Sequence, residues 1–407
     1  FWLLIAFGGC RPDHAPPQTG IPEWAETAIW YQIFVERFRN GDPANDPTSA
    51  DIRLADPGEA PEGWSVTPWT HDWYRQEDWA RKTGRDFYFT AQSRRYGGDL
   101  QGVLDKLDYL QELGVSAIYF NPLNDAPSLH KYDARNYRHI DRNFGPNPRG
   151  DELIMSREVP DDPTTWEWTS ADSLFLKLVE ELHRRGMRAV MDYSWNHTGV
   201  AFWAWRNVLE NQAESGYADW YEVDQFDDPS TAENEFSYTG WAGVRSLPNF
   251  RKVGVPEGYH GGPAEGNLNT GAREHVFAVT RRWMDPDGDG DPSDGVDGFR
   301  LDVAEQVPLG FWRDYYRFVK SINPSAYLVG EIWWEKWPDR MLDPRPYLDG
   351  VFDAVMNYRW YMPTRSLIAG TPPGIVPTTY ITHMDSIESG IRPSTLRAMM
   401  NVAATHD

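Results

Sequence analysis

The feature that most constrains the fold is an alternation of short apolar runs with longer segments of helical periodicity. Ala28–Phe34 (AIWYQIF) reads as a first strand. Leu100–Leu113 carries apolar residues at helical spacing, and Val115–Phe120 (VSAIYF) follows as a strand. The pattern repeats as helix Ser173–Arg185 then strand Met187–Tyr193, and as helix Ala272–Met284 then strand Val296–Asp302. Helix Phe311–Ile322 precedes strand Tyr327–Ile332, and Gly350–Met356 and Met400–Thr405 are the last two strands. Strands alternating with helices predict a parallel β/α architecture. Seven strands can be placed, so the expected fold is a (β/α)8 TIM barrel truncated before strand 8. Ser194–Thr270 breaks the alternation. It is long, rich in Gly, Asn and aromatic residues, and reads as a small domain inserted after strand 3. A second long insertion runs from Asn40 to Tyr96.

Catalytic groups of such barrels sit at the C-terminal ends of the strands. The third strand ends in Asp192, followed by Asn196 and His197. The fourth ends in Arg300 and Asp302, the fifth in Glu331, and the seventh in His406 and Asp407. A single strand-end Asp is ordinarily a loop or capping carboxylate. Several such ends in succession point to chemistry. A retaining glycoside hydrolase needs a carboxylate nucleophile and a second carboxyl that first donates and then accepts a proton. Asp302 suits the first role and Glu331 the second. Arg300, two residues from Asp302 on the same strand face, is expected to keep Asp302 ionised. Neighbouring carboxylates are expected to keep Glu331 protonated. Asp407 could grip sugar hydroxyls as the ring flattens in the transition state, and His197 and His406 could hydrogen-bond them.

The charge balance agrees with a neutral substrate. The 407 residues hold 61 acidic and 39 basic side chains, a net charge of −22. That surface repels phosphate backbones, so no nucleic acid partner is expected. Twenty Trp, twenty Tyr and eighteen Phe read either as core packing, which accounts for most of such a set, or as platforms for apolar sugar faces, and composition does not divide the two.

With these residues in place, the chain resembles glycoside hydrolase family 13, the α-amylase family. DYSWNH (192–197), GFRLDVAEQV (298–307), LVGEIWW (328–334) and NVAATHD (401–407) match its four signatures in order. WYQIFVERFRNGDPANDP (30–47), YGGDLQGVLDKLDYL (96–110) and HKYDARNY (130–137) resemble the neopullulanase and cyclomaltodextrinase branch. The resemblance implies Asp302, Glu331 and Asp407 as catalytic residues. It implies Tyr132, Asp192, His197, Arg300, Trp333 and His406 as substrate contacts, with Tyr132 stacking on the sugar at the cleavage point. The implied activity is retaining hydrolysis of α-1,4-glucosidic bonds in malto-oligosaccharides, starch, pullulan or cyclodextrins. Alternative readings are a glucanotransferase or isomerase of the same family, and a non-catalytic glycan-binding relative. Glu305 and Gln306 depart from the pairs typical of either α-amylases or neopullulanases, which leaves the acceptor side of the site open.

Asn40, Asp42, Asn45 and Asp46 crowd hard oxygen ligands into seven residues, as Ca²⁺ requires. A polar turn is the alternative. The resemblance completes this calcium site with Gly97 and Asp99 of the GGDL motif. A second loop, Asp285-Pro-Asp-Gly-Asp-Gly, opens like a calcium loop but has Val296 at the twelfth position.

Phe1–Phe7 is apolar and is followed by Gly8, Gly9 and the lone Cys10. This looks like the tail of a lipoprotein signal, with Cys10 as the lipidated residue. The expected location is therefore a secreted lipoprotein in the periplasm or on the cell surface of a bacterium, touching the membrane only through that anchor. The expected organisation is signal tail 1–10, linker 11–26, first barrel part 27–193, inserted domain 194–271 and second barrel part 272–407, incomplete at its C-terminus.

Overall fold

The computed structural model describes residues 20–52, 60–337, 340–370 and 374–402. Six strands form one sheet: β1 (Trp30–Ile33), β2 (Ala117–Phe120), β3 (Arg188–Tyr193), β4 (Gly298–Leu301), β5 (Tyr327–Gly330) and β6 (Ala354–Val355). All neighbouring pairs are parallel, and the order in the sheet is the order in the chain. Such an order requires a crossover between each pair. The strands curl into a half-barrel, as expected for part of a TIM barrel. β2, β4 and β5 are buried at every residue, which explains their unbroken apolar reading. A single parallel bridge joins Met356 to Met400. Half of the seventh expected strand, from residue 403 on, lies outside the described residues.

Helices cover the outer face of this wall. Ser170–Arg184 starts three residues earlier than the periodicity indicates, because Thr169 and Asp172 form a capping box. Its apolar face buries Phe175, Leu178, Val179 and Leu182. Thr270–Met284 is capped by Asn269, and Leu309–Ile322 carries Phe311, Trp312, Tyr315 and Val319 into the core. The expected single helix over 100–113 is instead two short ones, Leu100–Leu104 and Leu107–Glu112, with Lys106 out of helical geometry between them.

The linker reading is corrected at its C-terminal end. Glu23–Glu26 forms a 3-10 turn with Ala25 buried. Trp24 meets the rings of Trp30 and Tyr327, and its indole N–H donates to the Ser325 carbonyl at 3.0 Å. An aromatic residue with a polar edge anchors this stretch. Between β3 and Thr270 the chain holds a helix, Trp203–Asn211, a two-residue hairpin and isolated bridges that include His197 to Asn249. That segment is tied back to the end of β3, so it overhangs the strand ends. Among the described residues no helix is long and apolar enough to cross a membrane.

Candidate active site

Arg300 sits in the middle of a strand that is otherwise Gly, Phe and Leu, and it is fully buried. A buried guanidinium must be matched by acceptors, and three carboxyls from three strand ends supply them. Nη1 lies 3.1 Å from Asp192 Oδ1 and 2.6 Å from Asp302 Oδ1. Nη2 lies 2.6 Å from Glu331 Oε1. The register places Asp192 beside Arg300 and Leu301 beside Gly330, so the carboxyls gather from adjacent strands. One guanidinium is smaller than a sugar ring, so Asp302 and Glu331 lie within reach of one glycosidic bond.

Each carboxyl has further partners. Asp192 Oδ2 accepts from the Tyr119 hydroxyl at 2.8 Å and the Tyr132 hydroxyl at 2.7 Å. Glu331 accepts from the Trp333 indole at 2.8 Å, the Tyr358 hydroxyl at 3.2 Å and the Val303 backbone N–H at 2.9 Å. Val303 holds φ 41° and ψ 43°, a left-handed conformation costly for a β-branched residue. Such strain is found where the surroundings over-determine the backbone; here it aims the N–H at Glu331.

The directions of the two shifts run opposite to the sequence expectation. Burial, then the charge of Glu331, raises the Asp302 carboxyl despite the Arg300 contact. Burial also pushes Glu331 up, but Arg300, the Val303 N–H and the Trp333 indole outweigh it and hold Glu331 below its ordinary value. The two lie close enough to titrate as a pair. The reversal has a clear cause: Arg300 contacts both carboxyls, and Glu331 has more donors. Burial raises Asp192 to about 6 against the pull of Arg300.

Asp302 and Glu331 open into a cleft of about 610 Å³ whose walls include Tyr132, His197, Trp241, Glu305 and Trp333. His197 is buried, stacked on Trp241 at 5.3 Å, and lowered to about 3 by burial first and then by Lys252 and His130, so it is neutral. Glu305 is buried with Oε2 unpartnered among the described residues. Burial and then Glu331 push it up to about 8. Six expected residues thus converge: Tyr132, Asp192, Arg300, Asp302, Glu331 and Trp333, with His197 on the cleft wall. His406 and Asp407 lie outside the described residues, as does Cys10.

Sequence reasoning did not find Tyr119, Tyr358 or the Val303 N–H. Tyr119 is hidden inside an apolar run that reads as core. Tyr358 follows the end of a strand, and that position was its signal.

The residues expected to hold calcium also meet. Asn40 Nδ2 donates to Asp46 Oδ1 at 2.6 Å. Asp99 accepts from the backbone N–H groups of Gly41, Asp42 and Gly102. Gly97, at φ 72°, packs directly on Asp46 and Asn40, leaving no room for a side chain. Burial raises Asp46, with Asp99 and Asp42 adding repulsion, and burial raises Asp99. Asn40 Oδ1 and Asn45 Oδ1 are buried with no hydrogen-bond partner among the described residues. Crowded carboxyls beside unpartnered amide oxygens fit a hard cation. In the second loop Asp285, Asp287 and Asp289 approach one another at a largely exposed surface.

The site is a parallel β/α barrel wall with paired carboxyls at its strand ends. Residues 32–158 and 169–385 match the family model described as the alpha amylase catalytic domain. The chain belongs to the alpha-amylase family. It is 37% identical over 337 residues to neopullulanase 2 of Thermoactinomyces vulgaris, spanning 83% of this chain and 43% of that protein. It is 33% identical over 339 residues to a cyclomaltodextrinase of Geobacillus thermopakistaniensis, spanning 83% of this chain and 42% of that protein. The chain therefore spans less than half the length of these relatives. A solved structure of cyclic alpha-maltosyl-(1→6)-maltose hydrolase from Arthrobacter globiformis superposes with a TM-score of 0.66 at 28% identity, over 95% of this chain and 67% of that one.

Proposed function

We propose that the protein is a retaining α-glucan hydrolase that cleaves α-1,4-glucosidic bonds in malto-oligosaccharides, starch, pullulan or cyclodextrins. The supporting observation is the placement of Asp302 and Glu331 on the two terminal nitrogens of Arg300, at the wall of one cleft. Asp302 attacks the anomeric carbon while Glu331 protonates the leaving oxygen. Water then attacks the glycosyl-enzyme with Glu331 as base. Cleavage requires a proton on Glu331 and an ionised Asp302 at the moment of attack. A glycosidic oxygen arriving at Glu331 offers that proton a hydrogen-bond acceptor, and Arg300 then stabilises the ionised Asp302. Tyr132 carries the sugar face, Trp333 and His197 contact it, and Asp192 positions Tyr132 through its hydroxyl. Asp407 and His406 complete the transition-state contacts, a reading that rests on the sequence signature.

Calcium bound by Asn40, Asp42, Asn45, Asp46, Gly97 and Asp99 would brace the loop after β1 and supply no chemistry to the cleavage. The leader reading of residues 1–10 makes this a secreted lipoprotein anchored through Cys10; intact-mass analysis of membrane-extracted protein tests it. A second reading, glucanotransfer, is favoured by Trp333, Trp334 and Trp337 at the cleft mouth, since apolar rims hold an acceptor sugar against water. Product chromatography on starch, pullulan and a cyclodextrin decides: shorter products only support hydrolysis, and longer glucans support transfer. Cleavage surviving in both Asp302→Asn and Glu331→Gln would overturn the assignment.

A further inference from the structure

The insertion between β1 and Tyr96 carries aromatic side chains that the cleft does not use. Trp69, Tyr74 and Tyr88 are 63%, 79% and 79% exposed. They are linked through neighbours into one ladder. Trp69 meets Tyr96 at 5.2 Å, Tyr96 stacks on Trp73 at 6.1 Å, and Trp73 meets Phe87 at 6.4 Å. Phe87 in turn contacts Tyr74 at 6.0 Å and Tyr88 at 5.4 Å.

The ladder is built on a buried charge. Arg94, 1% exposed, donates to the carbonyls of Trp73 at 2.7 Å and Arg75 at 2.9 Å and pairs with Glu77. Its guanidinium also lies 5.4 Å from the Trp73 ring and 5.3 Å from Phe87, and Arg37 lies 4.7 Å from Trp73 on the same ring system. A buried cation that spends its donors on two loop carbonyls fixes the loop's shape. The backbone around Tyr74 and the inner rings Trp73 and Phe87, against which the exposed rings rest, are therefore fixed before any partner arrives, which lowers the entropy cost of binding. Clustered exposed aromatics of this kind mark interaction sites.

We propose that this ladder is a second α-glucan-binding surface, separate from the cleavage cleft. It rests on the reading that the protein acts on α-glucans. Two observations favour a glucan as occupant. The rings offer flat apolar faces with hydroxyl tips at Tyr74 and Tyr88, which suits the alternating apolar and hydroxyl faces of glucose units. The insertion is also clamped to the cleft: Arg95, next to the ladder, donates to the Pro127 carbonyl at 2.9 Å, in the loop that carries Tyr132. A polymer held at both places gains effective concentration at the cleft, and a short oligosaccharide does not.

The test compares adsorption to insoluble starch in the Asp302→Asn background, where no cleavage depletes the ligand. Adding Tyr74→Ala with Tyr88→Ala, or Trp69→Ala, should weaken adsorption by roughly tenfold. The same substitutions in the otherwise native protein should leave cleavage of maltotriose unchanged and slow cleavage of starch. Unchanged adsorption overturns the proposal. So does a change in sedimentation that marks the ladder as a contact between copies of the chain. Inactivity of the native protein on every glucan would instead sink the hydrolase reading, and adsorption would still report on the ladder.

Discussion

The backbone N–H of Val303 donates to Glu331 Oε2 at 2.9 Å from a left-handed conformation. The residue after the proposed nucleophile thus positions the proposed acid. Only a backbone able to hold positive φ can do this, and glycine does so without steric cost. Val303→Gly should keep the contact, with kcat/KM within about tenfold of the native value. Its melting temperature should stay close to native, since relief of strain offsets lost side-chain burial. A collapse of activity in a folded Val303→Gly protein would show that the valine side chain, not its N–H, matters.

Arg300 contacts three buried carboxyls at once. Replacing it with Ala leaves them uncompensated, and breaking buried pairs of this kind costs about 3–5 kcal/mol. Lys restores the charge but not the two-pronged reach to Asp302 and Glu331. Arg300→Lys should therefore fold better than Arg300→Ala in thermal melts, and both should lose nearly all turnover. Substantial activity in Arg300→Lys would contradict the bridging role.

Glu305 gives a pH signature. Its carboxyl is raised from an ordinary 4.5 to about 8. Between these values the folded protein holds a proton that the unfolded chain has released, so stability falls as pH rises through that window. Asp192, raised from 3.8 to about 6, acts only in the lower part of the range. Glu305→Gln should therefore flatten the fall in melting temperature between about pH 6.5 and about pH 8.5. Parallel melting profiles for the two proteins would contradict the assignment.

The calcium reading predicts a metal-dependent melt. Calcium at a hundredfold over its dissociation constant adds about 2.7 kcal/mol. Chelation should lower the melting temperature, and Asp46→Ala should abolish the response. Gly97→Ala should destabilise the protein with or without metal, because its backbone is left-handed and its Cβ would strike Asp46 and Asn40. An identical melt in chelator and in calcium would refute the site.

Much of the barrel was legible because parallel strands buried on both faces read as apolar runs, as in β2 and β5. The charged exception, Arg300 within Gly-Phe-Arg-Leu, marked the site. Helix starts were less legible, since Thr169 and Asn269 act as caps through side-chain geometry that periodicity ignores. The break at Lys106 inside an amphipathic stretch has no sequence signal of its own. The opposite shifts of Asp302 and Glu331 were not legible at all. They depend on the Val303 N–H and Trp333 indole donors to Glu331 and on the nearby charge of Arg300, whose placement appears only in three dimensions.

The most direct test is the site of covalent attachment of a slowly hydrolysed fluoro-sugar substrate, read by mass spectrometry of peptides from the inactivated protein. The proposed mechanism predicts one added glycosyl mass on the peptide carrying Asp302, absent in Asp302→Asn. Attachment to another carboxylate, or turnover that gives the inverted anomer with no adduct, would contradict it.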